Sequence, residues 1–103
     1  MDSGVSYDFE WDLQKAISNF AKHGVTFEQA ATVFLDPLAI TVFDEEHSQT
    51  EERWLTMGQQ AGGGLLVLVH TFRESDSNAV TVRIISARTA TKQERRAYED
   101  EPR

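Results

Sequence analysis

The sequence predicts an α+β fold: two amphipathic N-terminal helices packed on one face of a mostly antiparallel β-sheet, with a polar helix at the C-terminus. Three observations carry this. Apolar residues at 13, 16, 17, 20 and 21, and again at 27, 30, 31 and 34, repeat at helical spacing. Four strand-like runs rich in β-branched and aromatic residues then follow one another between Leu38 and Arg88. Finally, the segment from Lys92 to Asp100 has only Ala97 and Tyr98 as apolar members, too few for a core stripe. At 103 residues the chain is expected to form one domain, residues 1–103, with an ordered core over about 7–100.

Each element has a local cause. Tyr7, Phe9 and Trp11 alternate with Asp8 and Glu10, the period of a half-buried first strand at an edge or in a pair. Asp12 is placed to cap the first helix, which Lys22, His23 and Gly24 close with cations at the negative end and a glycine free to turn left-handed. Thr26 with Gln29 forms a capping box for the second helix, which Asp36-Pro37 stops. Leu38–Phe43 reads as a short strand, residues 44–51 as a solvated connection, and Arg53–Gly58 as a strand. Gly62-Gly63-Gly64 marks a hairpin turn, Leu65–Phe72 a buried strand, and Glu74–Asn78 another turn. Thr91 with Glu94 is a further capping box, opening the last helix.

The strand Val80–Arg88 organises the rest. Val80, Val82 and Ile84 share one parity, Ile85 and Ala87 the other, so both of its faces are expected to be covered. Arg83 and Arg88 conflict with that burial, because guanidinium groups are rarely held near a sheet unless something anionic or planar meets them. A site is therefore expected on the side of this strand away from the helix pair, near its C-terminal end.

Composition narrows the function. With no cysteine, the chain has no disulfide framework, thiolate zinc site or cysteine nucleophile. No apolar run approaches the roughly 20 residues of a membrane span, and the first residues lack signal-peptide character, so a cytoplasmic location is expected. Ten basic against seventeen acidic side chains, a net charge of -7, argue against a general nucleic-acid binder and suit a basic protein partner. Yet Arg83, Arg88, Lys92, Arg95 and Arg96 fall within fourteen residues and can form a local basic patch.

Several motifs carry a resemblance: Phe9-Glu10-Trp11-Asp12, Lys15, Asn19, Lys22-His23-Gly24-Val25, Phe27 with Ala30-Ala31, and Val33-Phe34. In the same order follow Asp44, His47, Glu52-Arg53, Gly58, Leu65-Leu66-Val67, His70-Thr71 and Arg83 through Arg88. From Tyr7 to Tyr98 the chain resembles the BrnT family of toxins. The resemblance implies a RelE-like fold and an endoribonuclease toxin of a type II toxin–antitoxin system that stops growth by cutting RNA. It also implies a cognate BrnA-like antitoxin with a ribbon-helix-helix DNA-binding region, in a toxin–antitoxin hetero-oligomer.

The residues suit such chemistry. RNA cleavage by 2′-OH attack, without a metal or other cofactor, needs a base for the 2′-OH, cations for the charged phosphorane and an acid for the departing 5′-oxygen. Arg53, Arg83 and Arg88 are candidate phosphate-binding cations, and His47 and His70 candidate proton carriers. Lys22, His23, Lys92, Arg95 and Arg96 are candidate RNA contacts. Each has a plainer alternative. Arg53 or Arg83 can reach a surface carboxylate such as Glu52 or Glu74. His70 can be a hydrogen-bonded core residue, Trp54 core instead of a base-stacking platform, and Arg95 and Arg96 a solvated helix face. His47 can sit in a solvated loop or meet a metal with Asp44 and Glu46. A second functional class also fits: a catalytically inactive binding module that sequesters the antitoxin and modulates transcription of the operon.

Overall fold

The structure, a computed structural model, describes residues 6–74 and 78–102. Among these the chain runs β1 (Ser6–Glu10), α1 (Leu13–His23), α2 (Phe27–Ala31), β2 (Ile40–Phe43), β3 (Trp54–Gln59), β4 (Leu65–Glu74), β5 (Ala79–Thr89) and α3 (Lys92–Asp100). The five strands form one mixed sheet in the order β1-β5-β4-β3-β2. β2 to β5 are an antiparallel meander, and β1 joins its end in parallel with β5. The α+β class expected from the sequence is therefore observed. β5 is an interior strand, but the middle of the sheet is β4, where Leu65, Leu66, Val67 and Leu68 are all buried.

The expected caps form. Asp12 accepts a hydrogen bond from the Gln14 amide at 2.9 Å, and Gly24 adopts φ 70° while its amide donates to Phe20 O at 2.8 Å. Both capping boxes, Thr26 with Gln29 and Thr91 with Glu94, close reciprocally. The second helix is shorter than its spacing suggests. After Ala31 the chain tightens into a 3₁₀ turn, Thr32–Leu35, with the Thr32 hydroxyl donating to Gln29 O at 2.6 Å.

The core lies between α2 and one face of the sheet: Phe27, Ala30 and Val33 meet Leu66, Leu68, Val82, Ile84 and Ala87. Here the expected packing of α1 holds only in part. Ala16 of its apolar stripe packs against the core, but Leu13, Ile17 and Phe20 are 67, 55 and 54% exposed, and its buried residue is Asn19. The cause is the end of β1 at Glu10, opposite Arg83, which leaves the remainder of β5 unpaired on that side. Asn19 fills the gap: its Nδ2 donates to Ala87 O at 2.9 Å and to Val25 O at 3.1 Å, and its Oδ1 accepts from the Ala87 amide at 3.1 Å.

Two other expectations change. Residues 44–51 are no simple solvated connection: Asp44 is buried, Glu45–His47 form a 3₁₀ turn, and the loop is tied by Asp44 N to Arg53 O at 2.9 Å. The final helix is not merely a surface element, since Tyr98 is buried and its hydroxyl donates to Asp36 Oδ2 at 2.5 Å. α3 flanks the sheet face opposite α2, where a cavity of about 270 Å³ lies among Ile40, Val42, Leu55, Met57, Val67 and Ala97. Gly62, Gly63 and Gly64 form the expected hairpin turn, all at positive φ. The turn expected at Glu74–Asn78 includes residues 75–77, which lie outside the described residues.

Candidate functional site

Strict alternation along β5 would separate Arg83 from Arg88, because five residues is an odd offset and successive side chains point to opposite faces. A bulge removes the conflict. Ile84 pairs with His70 and Ser86 with Val69, so Ile85 is an extra residue in β5. Beyond it the parity is reversed: Ala87 joins Val82 and Ile84 in the core, and Arg88 joins Arg83 on the face away from α2. The sequence-based division of this strand into two apolar parity sets is corrected accordingly. The cross-strand partners of the two arginines, Thr71 and Val67, are four residues apart on β4, a separation of roughly 13 Å at ordinary strand rise.

Each arginine meets a carboxylate. Arg83 Nη2 donates to both oxygens of Glu51 at 2.6 Å, and Arg53 Nη2 approaches Glu51 Oε1 at 3.6 Å. Glu51 thus sits between two guanidinium groups, and the hydrogen bond from Arg83 holds its carboxyl below the usual carboxylate range. Arg53 Nε is buried with no hydrogen-bond partner among the described residues. At the other end Arg88 makes a two-pronged pair with Glu94, Nη1 to Oε1 and Nη2 to Oε2, each at 2.8 Å. That pairing raises Arg88 and pushes Glu94 down to about 2. Neither Glu52 nor Glu74 is the anchor of Arg53 or Arg83, as the sequence suggested; Glu51 is.

The histidines are placed very differently. His47 is exposed on the loop that also carries Glu51 and Arg53, and its Nδ1 lies 2.9 Å from Asp44 Oδ2. No group of three histidine, aspartate or glutamate residues able to hold a metal occurs among the described residues. His70 is 0% exposed on the core side of the sheet, across it from the arginines, with Phe34 and Phe72 edge-on to its ring. Its Nε2 lies 2.6 Å from Thr56 Oγ1, itself 2.7 Å from Thr41 Oγ1. Burial pushes the imidazole down to about 4, so it is neutral at physiological pH. Trp54 is half-buried on the same side, between Phe43 and Phe72.

Lys22 and His23, at the end of α1, line a groove of about 340 Å³ with Lys15, Ser18, Ile85 and Ser86. This groove meets β5 at the bulge, between the two arginines in sequence. On α3, Lys92 and Arg96 are exposed and Arg95 is half-buried. The structure therefore brings Arg53, Arg83 and Glu51 together, sets His47 on their loop and Arg88 on their face, and leaves His70 apart.

Among the described residues, no helix is long and apolar enough to cross a membrane. None of the curated proteins compared matches the chain. Among solved structures, the crystal structure of the Brucella abortus ribonuclease toxin BrnT matches with a TM-score of 0.57 and 22% identity, covering 85% of this chain and 100% of that one. At that identity the likeness establishes the fold. A family model described as the ribonuclease toxin BrnT of type II toxin–antitoxin systems matches residues 11–94. Spanning most of the chain, that match settles its kinship: the protein belongs to the BrnT family of ribonuclease toxins, whose type II systems pair each toxin with an antitoxin.

Proposed function

We propose that this chain is a RelE-like endoribonuclease toxin that cuts RNA in the cytoplasm, without a metal, by attack of a 2′-OH on the adjacent phosphate. The observation that carries the reading is the bulge at Ile85, which sets Arg83 and Arg88 on one face of the sheet. A core-building strand has no structural need for two guanidinium groups on its outer side, whereas a phosphodiester does.

In this reading Arg83 and Arg53 exchange Glu51 for the scissile phosphate and stabilise the charge that grows on its oxygens as the 2′-oxygen bonds to phosphorus. Arg88, with Lys22, His23, Lys92, Arg95 and Arg96, holds flanking phosphates. His47, or Glu51 once displaced, takes the 2′-OH proton, and a protonated group returns one to the 5′-oxygen as the P–O5′ bond breaks. His70, buried and neutral, supports the sheet beneath the site. The neutralising partner is an antitoxin with a ribbon-helix-helix DNA-binding region.

The test is RNA cleavage by the purified chain, with and without chelator, against an Arg83→Ala, Arg88→Ala double variant. Loss of an oxyanion-stabilising donor costs about 100-fold or more, so the double variant should be inactive while keeping its fold and antitoxin binding. Undiminished cleavage by that variant refutes the assignment; chelator-sensitive cleavage refutes the metal-free route. A folded wild-type chain that binds antitoxin but neither cuts RNA nor arrests growth favours the inactive binding module.

A further inference from the structure

The stripe Leu13, Ile17 and Phe20 recurs at i, i+4 and i+7 on one side of α1, yet all three side chains are more than half exposed. With Trp11, Phe27 and Glu28 they border an apolar groove of about 310 Å³ between α1 and α2. Exposed contiguous apolar surface of this kind marks an interaction site. We infer that this groove is the seat of an amphipathic helix of the antitoxin, apolar on one side and flanked by lysine or arginine; the inference rests on the toxin reading above.

Charge selects that occupant. Among the described residues no lysine, arginine or histidine lines the groove, whereas Glu28 does, and the exposed Asp12 stands between Trp11 and Leu13, two of its lining residues. The cations of α1 lie elsewhere. At about 100° per residue Lys15 and Lys22 fall on the side of the helix opposite Ile17, where they line the basic groove at β5. A second copy of this chain, also at -7, would bring like charge to an acidic rim. A basic amphipathic helix matches both the apolar floor and the acidic surroundings. The seat lies on α1 and α2, across the sheet from Arg83 and Arg88, so anchoring the antitoxin and cutting RNA use separable surfaces.

The experiment uses the full chain and, as probe, the purified product of the small reading frame adjacent to its gene. Binding is measured by calorimetry, and cleavage on the free chains. Ile17→Asp with Phe20→Asp should weaken binding by about 100-fold or more, as loss of two central anchors does, and leave RNA cleavage within twofold. Ile17→Ala with Phe20→Ala should weaken it in the same direction, which guards against misfolding of the first pair. Lys15→Glu with Lys22→Glu should leave binding within a few-fold. Wild-type affinity in both stripe variants overturns the inference, as does a wild-type chain that ignores the probe, or a homodimer that the stripe variants dissolve. A wild-type chain that binds through the stripe but cuts no RNA instead fails the toxin reading and leaves the seat standing.

Discussion

One nitrogen of Arg83, Nη2, lies 2.6 Å from both oxygens of Glu51, so the cation proposed to bind the scissile phosphate is already held by a carboxylate of the same chain. In the proposed mechanism Glu51 and an RNA phosphate compete for that guanidinium. Glu51→Gln should therefore tighten binding of an uncleavable 2′-deoxy-substituted RNA by about fivefold, the scale of one exposed ion pair. Filter binding at low salt measures it; unchanged affinity would place the phosphate elsewhere.

His70 makes stability depend on pH. Its imidazole is lowered from 6.5 to about 4 by burial, so below about pH 6.5 the unfolded chain takes up a proton that the folded chain refuses. Stability is complete above pH 6.5, declines as the pH falls, and levels off near pH 4 with a loss of roughly 3 kcal/mol from this group. Urea unfolding at pH 7.5, 5.5 and 4.5 should show that decline in wild type and a shallower one in His70→Gln.

Asn19→Ala removes the side chain that pairs with both backbone groups of Ala87 and with Val25 O. Those groups lose their partner at the unpaired edge of β5, at a cost of about 1–3 kcal/mol for each one left unsatisfied. Unfolding free energy should fall by about 3 kcal/mol. Hydrogen exchange at the Ala87 amide should quicken locally, and an unchanged rate would mean the amide is protected by something else.

Gly58 has no room for a methyl group. A Cβ there would stand 2.9 Å from Val33 Cγ1 and 3.0 Å from Ala39 Cβ. Gly58→Ala should cost about 1–3 kcal/mol through overpacking, read as a lower midpoint in thermal unfolding. A neutral result would show that the turn around Asp36 yields easily.

Local chemistry made much of this protein legible in its residues. Caps at Asp12, Thr26 and Thr91, the glycines of the turns and the strand composition act within a few positions, so the α+β class and the element order followed from sequence. The candidate arginines were also visible, because charge within a β-branched run is a contradiction in composition alone. Three facts depended on contacts distant in sequence. Ile85 becomes a bulge only through the register of β5 against β4, and with it Arg88 changes face. Glu51 was chosen over Glu52 and Glu74 by the closure of the 44–53 loop, 32 residues before Arg83. Most of the stripe of α1 turned outward because β1 ended early and the edge of β5 required the polar Asn19, not an apolar side chain. Sequence settled which groups the chain possesses and where its backbone turns; the tertiary structure decided which of them share a surface, because register and hydrogen-bond satisfaction are properties of paired segments.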